Sequence, residues 1–291
     1  MYKEYTRPLE QSIDADKNVF SVLEERVRRA PNDSLVEYKN EAGEWSSFNA
    51  AEFQAKVIAI AKGLIARGIM PGDSVSITAH TCWQWTALDL AIMSIGALTV
   101  PVYETNSPAQ VTMIFNDSKV KMAFAEDDGQ RDKIESVRAQ CPDLGDVYVI
   151  RFGAIDTIIE YGRSVSDAEF YEREHAVKGS DLATIVYTSG STGTPKGIEL
   201  SHANFVFITY SGVNSMPDIA MKPNRRLLLF LPLAHVFARY MQFFCFAGNV
   251  SLGLSGNLKT ILADFQAFKP TFILAVPRIF EKIYNAASQK A

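Results

Sequence analysis

Apolar and polar positions follow a helix-then-strand rhythm along the chain from about residue 50 onward. Residues 51–67 place their apolar side chains at helical spacing, Gly68 ends that pattern, and residues 75–77 continue as a short apolar strand. The same order of helical and apolar segments recurs at residues 85–102, 108–125 and 131–150. The sequence therefore predicts an α/β fold of mostly parallel sheets with helices on both faces.

Residues 152–179 interrupt this rhythm, because they are charged and irregular apart from one helical pattern at residues 167–175. Such a segment indicates a connection between two sheet systems. We therefore predict a division of the chain into residues 1–180, a first α/β subdomain with an amino-terminal extension, and residues 181–291, which carry a glycine-rich loop.

The second portion also alternates strands and helices. Its predicted elements are strands at 182–187 and 198–200, a helix from Ser201 toward Val213, a strand at 227–231, a helix at 258–268 and a strand at 271–276. Residues 227–254 are the most apolar stretch, but Pro232, His235, Arg239 and Asn249 interrupt it. A membrane span needs about 20 consecutive apolar residues, so this stretch is interpreted as buried core.

The glycine-rich loop lies in residues 187–197, with the sequence Tyr-Thr-Ser-Gly-Ser-Thr-Gly-Thr-Pro-Lys-Gly, directly after an apolar strand. Glycines let the backbone approach a ligand closely, and successive N–H groups together with hydroxyls can converge on phosphate oxygens. The loop is neither a Walker A motif nor a GxGxxG fingerprint, since Lys196 follows Pro195 and precedes Gly197. A flexible linker is the alternative, but linkers rarely lie between apolar strands.

Composition and charge narrow the class of protein further. The 291 residues are 47% hydrophobic and 21% charged, which is typical of a folded globular protein. A net charge of -4 argues against nucleic acid as a partner. Three cysteines without metal-ligand spacing indicate free buried thiols and no protein metal site, and the polar amino terminus has no signal-peptide pattern, so we expect a cytoplasmic protein.

The loop resembles the phosphate-binding signature of the adenylate-forming superfamily, which includes acyl-CoA synthetases, luciferases and the adenylation domains of peptide synthetases. The resemblance implies that the loop holds the β- and γ-phosphates of ATP, with Mg²⁺, while a carboxylate attacks the α-phosphorus to give acyl-AMP and pyrophosphate. It assigns nucleotide binding to Thr188, Ser189, Gly190, Ser191, Thr192, Gly193, Thr194 and Lys196. Among these, Thr188, Thr192 and Lys196 are the expected catalytic residues, because charge grows on the phosphoryl oxygens.

Residues 231–239 are similar to the family segment that lines the acyl and nucleotide pocket. The resemblance makes His235 and Phe237 candidate pocket residues. By itself a lone histidine in apolar surroundings is more often structural, and we assign His235 a role in shaping the pocket rather than in proton transfer. The aromatic residues Trp83, Trp85, Phe243, Phe244 and Phe246 are interpreted as core rather than as a lipid tunnel.

Residues 268–283 resemble long-chain fatty acyl-CoA synthetases in particular, which implies a long-chain fatty acid, ATP and CoA as substrates. The chain then corresponds to part of the large amino-terminal domain of those enzymes. Two alternatives stay open: an acyl-AMP ligase or other carboxylic acid adenylating enzyme, and a nucleotide-binding module without catalysis. Acyl chain length, homo-oligomerisation and peripheral membrane contact also stay open.

Family members carry further motifs downstream, for adenine, for the ribose hydroxyls and for a lysine that aids adenylation. None of these can be placed before Ala291. We therefore expect the 291-residue chain by itself to make no acyl-CoA.

Overall fold

The computed structural model describes residues 14, 16–189 and 195–275. Its helices are α1 (Phe20–Arg29), α2 (Ala50–Ala66), α3 (Trp83–Ser94), α4 (Pro108–Ser118), α5 (Asp128–Glu135), α6 (Ala154–Tyr161), α7 (Asp167–Ala176), α8 (His202–Ser215), α9 (Pro217–Ala220), α10 (Val236–Ala247) and α11 (Ile261–Phe268). Its strands are β1 (Ser34–Lys39), β2 (Trp45–Asn49), β3 (Ser74–Thr78), β4 (Leu98–Pro101), β5 (Val120–Ala125), β6 (Val147–Val149), β7 (Leu182–Ser189), β8 (Pro195–Ser201), β9 (Arg225–Leu229), β10 (Val250–Leu254) and β11 (Phe272–Ile273).

The strands form two sheets. A six-stranded sheet has the order β6-β5-β3-β4-β7-β8, and a five-stranded sheet has the order β11-β9-β10-β1-β2. Neighbouring strands are parallel except in the hairpins β1–β2 and β7–β8, which are antiparallel. The prediction of an α/β fold with mostly parallel sheets is confirmed.

Each sheet draws strands from both sides of residue 180. The hairpin β1–β2 joins the sheet that contains β9, β10 and β11, because β1 pairs with β10. The hairpin β7–β8 joins the other sheet, because β7 pairs with β4. The two sheets do not coincide with the two predicted portions of the chain. The division at residue 180 itself stays a prediction.

Side-chain caps explain where several helices begin. Ser201 accepts a hydrogen bond from the backbone of Asn204, whose side chain bonds back to Ser201, so that β8 gives way to α8 as predicted. The pair Ser107 and Gln110 starts α4 in the same way. The first cap starts α8 directly beyond β8, whereas the second starts α4 after the loop that follows β4.

Helices α3 and α10 lie in a core shared by both sheets, and their side chains are buried nearly all round. The aromatic residues Trp85, Phe243, Phe244 and Phe246 are fully buried there, as expected of core positions. The thiols of Cys141 and Cys245 are free and buried, and burial raises the pKa of each. Among the described helices, none has both the length and the apolar character needed to cross a bilayer.

Candidate functional site

The hairpin β7–β8 carries the predicted phosphate loop. Its register pairs Thr188 with Lys196 and Tyr187 with Gly197 across the two strands. Directly opposite residues on antiparallel strands point to the same face, so Thr188 and Lys196 share one face of the hairpin, and both are exposed. The predicted site residues Gly190, Ser191, Thr192, Gly193 and Thr194 lie outside the described residues, as does the side chain of Ser189.

Tyr187 fixes the hairpin against the neighbouring helix α4. Its hydroxyl donates to a carboxylate oxygen of Asp117 at 2.5 Å, and burial together with that bond raises the pKa of Tyr187, so the phenol stays neutral. Its ring also lies over Gly197. A Cβ atom at residue 197 would come within 3.2 Å of the Tyr187 ring and 2.9 Å of Ile185, so a larger residue here would have to displace one of these side chains.

A polar cleft of about 550 Å³ opens beside the hairpin, where the carboxyl ends of β4 and β7 meet. It is lined by Tyr103, Thr105, Asn106, Gln110, Val186, Tyr187, Thr188, Pro195, His235 and Val236. Of the predicted site residues, the structure brings Thr188 and His235 together in this lining. Its lining includes hydroxyl and amide side chains, which are suited to hydrogen bonding with a polyphosphate.

His235 stands at the start of α10. Its Nδ1 accepts a hydrogen bond from the backbone N–H of Phe237 at 3.2 Å, so the histidine caps the helix while its ring lines the polar cleft. Because Nδ1 is an acceptor, any ring proton of neutral His235 is on Nε2. His235 thus lies at the wall of the cleft, and its role in shaping the pocket stays a prediction.

Phe237 does not line the polar cleft. It lies in an apolar groove of about 360 Å³ between α8 and α10, lined by Leu200, Asn204, Phe205, Ile208, Val236, Phe237 and Tyr240. The cleft and the groove meet at Val236, which lines both. The two predicted pocket residues therefore line adjoining cavities, one with a mixed polar and apolar lining and one almost wholly apolar.

A larger cavity of about 940 Å³ lies at the carboxyl ends of β3, β5, β6 and β10, and we call it the ion-pair cavity. In it His80 hydrogen-bonds one oxygen of Glu126 at 2.5 Å, and Arg151 donates to the other at 2.7 Å. Burial works to lower the pKa of His80, but the bond and charge of Glu126 outweigh it and raise the pKa. Lys39 and Asp264 form a second ion pair in the same wall.

The wall of the polar cleft contributed by Tyr103, Thr105, Asn106 and Gln110 was not predicted from the sequence. Tyr103, Thr105 and Asn106 lie between β4 and α4, and Gln110 lies in the first turn of α4. Polar residues directly after a buried parallel strand lie at the edge of the sheet where ligands bind, and that signal could have found them.

A model of AMP-binding enzymes matches residues 23–291, and the chain belongs to that family. Among similar proteins is the long-chain-fatty-acid–CoA ligase FadD15 of Mycobacterium tuberculosis, which is 37% identical over 99% of this chain and 48% of its own length. Another is the peroxisomal long chain acyl-CoA synthetase 7 of Arabidopsis thaliana, 28% identical over 84% of this chain and 36% of its own length. The chain thus spans less than half the length of these curated relatives.

Solved structures share the fold. The inhibitor-bound N-terminal domain of FACL13 from Mycobacterium tuberculosis superposes with a TM-score of 0.74 at 23% identity, covering 91% of this chain and 64% of that one. The complex of VinN with L-aspartate gives a TM-score of 0.76 at 20% identity, covering 94% and 70%. At such identity the likeness supports the fold alone.

Proposed function

We propose that the complete protein activates a long-chain fatty acid with ATP and passes the acyl group to CoA. The observation that carries this proposal is the meeting of the polar cleft and the apolar groove at Val236. A fatty acid has a charged head and an apolar tail, so it can place its carboxylate in the cleft and its tail in the groove. Membership of the AMP-binding family and the names of similar proteins favour the same chemistry.

The phosphate loop acts on the leaving pyrophosphate in this proposal. Thr188, Thr192 and Lys196 donate to phosphoryl oxygens, on which negative charge increases as the bond to the α-phosphorus breaks. Ser189, Gly190, Ser191, Gly193 and Thr194 complete the loop through hydroxyls and backbone N–H groups. The fixed geometry of Tyr187 over Gly197 supports this role, because preorganised donors need no rearrangement during the reaction.

The acyl tail lies along the groove formed by Phe237, Ile208 and Tyr240. Each methylene group buried there contributes about 0.8 kcal/mol, so binding in the groove becomes more favourable as the acyl chain lengthens. His235 keeps the start of α10 in place between tail and phosphates, and it transfers no proton in this proposal.

The residues present also fit Mg²⁺ as a companion of ATP. Among the residues that the structure describes, no cluster of His, Cys, Asp and Glu is arranged to hold a metal ion. The cleft instead offers oxygen atoms from Thr105, Asn106 and Thr188. Mg²⁺ usually keeps several waters and takes only one or two protein oxygens beside substrate phosphates, where it neutralises their charge.

The direct test is pyrophosphate release by the complete protein with palmitate, octanoate, acetate and amino acids as substrates. We expect palmitate to be preferred. Phe237→Asp should raise the KM for palmitate about tenfold, which corresponds to about 1.4 kcal/mol, and should change the KM for octanoate less. Phe152→Asp is the matched control, because Phe152 is 66% exposed and lies away from the groove.

The same assay separates the alternatives. Preference for an amino acid or an aryl acid would contradict the acyl substrate while leaving adenylation intact. Acyl-AMP formation without thioester formation from CoA would identify an acyl-AMP ligase, and nucleotide binding without pyrophosphate release would identify a non-catalytic module.

A further inference from the structure

The geometry points to Arg239 as a positioning residue that fixes β7, the strand leading into the phosphate loop, against α10, the helix whose start lines the polar cleft. Arg239 is fully buried and lies one helical turn after His235. Its partner Thr184 lies on β7, the same strand as Thr188. The meaning of this link for catalysis rests on the proposed function, whereas the link itself rests on contacts.

Arg239 joins three elements at once. Its Nε and Nη2 donate to the two carboxylate oxygens of Asp89 on α3, at 3.1 and 2.6 Å. Its Nη1 donates to the hydroxyl of Thr184 at 2.7 Å. The guanidinium fork therefore uses separate nitrogens for α3 and for β7, which fixes the angle between them as well as the distance.

Thr184 connects Arg239 to β4, a central strand of the sheet. Its hydroxyl accepts from Arg239 and donates to the backbone oxygen of Thr99 on β4 at 2.5 Å. Thr99 is also the residue that faces Thr184 in the pairing of β4 with β7. The carboxyl ends of these two strands form the base of the polar cleft, so Arg239 sets α10 relative to both of its polar walls.

The rest of the network keeps the buried charges satisfied. Gln242 donates to Asp89 at 3.1 Å and accepts from the hydroxyl of Thr86 on α3 at 3.0 Å. The guanidinium carbon also lies 5.0 Å from the centre of the Phe205 ring. Thr86 thus completes the network from the side of α3, and its hydroxyl donates to Gln242 rather than to β7.

A buried ion pair adds little to the stability of the fold, because desolvation offsets much of the attraction between the charges. Apolar residues of similar volume often give the same stability. Such a pair fixes geometry well, because a bidentate guanidinium permits only one arrangement of its partners. The proposed reaction depends on that arrangement, since a displacement of about 1 Å between reacting groups can cost about 100-fold in rate.

The matched variants Thr184→Val and Thr86→Val test the proposal in the complete protein. Both threonines are fully buried and both lose a network hydroxyl, but only Thr184 lies on β7. We expect Thr184→Val to lower kcat for acyl-AMP formation by about 10-fold to 100-fold, with a smaller change in the KM for ATP. Thr86→Val should keep kcat close to the unmodified value, and Thr184→Ser, which retains the hydroxyl, should recover most of the loss.

A charge-free double variant separates position from stability. Asp89→Leu combined with Arg239→Met removes both charges and leaves only the buried amide of Gln242 without its partner, so it should lose much less stability than either single variant, which leaves a buried charge unpaired. Its kcat should nevertheless fall as far as that of Thr184→Val. A folded double variant with undiminished kcat would overturn the proposal, and so would equal losses in Thr184→Val and Thr86→Val.

Amide hydrogen exchange at residues 183–188 measures local opening of β7 without any catalytic assay. Thr184→Val should accelerate exchange there, whereas Thr86→Val should not. If the unmodified protein formed no acyl-AMP, the proposed function would fail, yet this contrast would still be measurable. Identical exchange in the two variants would overturn the positioning role independently of the reaction.

Discussion

The polar cleft and the ion-pair cavity open at the same edge of the six-stranded sheet, but they offer a ligand very different surfaces. The larger, of about 940 Å³, contains charged groups that already satisfy one another: Glu126 receives both His80 and Arg151, and Lys39 pairs with Asp264. The smaller, of about 550 Å³, presents neutral hydroxyl and amide groups beside the phosphate-loop hairpin.

This difference favours the polar cleft as the proposed site, because a ligand needs available hydrogen-bond donors more than it needs volume. A ligand in the ion-pair cavity must compete with existing pairs, and separating a partly buried ion pair leaves a charge without its partner. A ligand in the polar cleft meets groups such as Thr188 that can donate without such a loss.

Removing a proposed phosphate donor of the glycine-rich loop should have the largest effect. In the complete protein, Lys196→Ala or Thr192→Ala should lower kcat for acyl-AMP formation by about 10² to 10³, since one preorganised donor is typically worth about 2.7 to 4 kcal/mol in the transition state. The KM for ATP should rise less, because the lost contact strengthens as pyrophosphate leaves. Steady-state pyrophosphate release measures both constants.

The thioester half-reaction provides the internal control for these variants. Started from pre-made acyl-AMP, it contains no pyrophosphate, so Lys196→Ala and Thr192→Ala should leave it unchanged. Lys178→Ala, an exposed lysine near the base of the hairpin, is the matched control for loss of charge. Unchanged adenylation in Lys196→Ala would remove this lysine from the mechanism, and equal damage to both half-reactions would indicate a structural loop.

The histidine behind the hairpin should make stability fall in acid. His202 is fully buried, and its Nδ1 accepts from the backbone N–H of Val19 at 3.1 Å. Burial lowers its pKa from 6.5 to about 4, since protonation would also break that bond. The unfolded chain therefore binds a proton first as pH falls, and about 3 kcal/mol of unfolding free energy should disappear between pH 6.5 and 4.

Urea unfolding measured across this pH range checks the prediction. His202→Gln removes the titrating group and keeps an acceptor for the N–H of Val19, so the stability of this variant should depend less on pH over the same interval. The same slope in both proteins would show that other groups cause the acid sensitivity.

Sequence reasoning found the parts of the fold and site that depend on local pattern. The α/β class followed from periodicity, the start of α8 from the cap at Ser201, and the strands on either side of the glycine-rich loop from their apolar pattern, although their antiparallel pairing was not predicted. It missed α6, whose Ala154, Ile155 and Ile158 face the core from within a charged segment too short for a clear period. It also missed the hairpin β1–β2.

Long-range pairing explains the remaining differences. Each hairpin joins a sheet whose other strands come from the other portion of the chain. This depends on contacts between distant residues, such as Val36 with Leu252, which no local pattern encodes. The separation of His235 from Phe237 into two cavities likewise depends on how α10 packs against α8. The resemblance at residues 268–283 lies partly outside the described residues, and so does the predicted strand beyond Ala275.

Removing the histidine of the ion-pair cavity should have the smallest effect. His80→Gln should leave acyl-AMP formation close to the unmodified rate, because this residue lines the larger cavity and not the polar cleft.

The His80 side chain is 56% exposed, so solvent screening leaves its pair with Glu126 only a small share of stability. Since its pKa is raised above 6.5, that share is present at lower pH and disappears as pH rises through the folded-state pKa, the reverse of His202. Comparing unfolding free energies of His80→Gln and the unmodified protein below and above pH 6.5 would measure it. A collapse of adenylation in His80→Gln, with the fold intact, would mean that the larger cavity belongs to the active site and that the contrast between the two cavities is wrong.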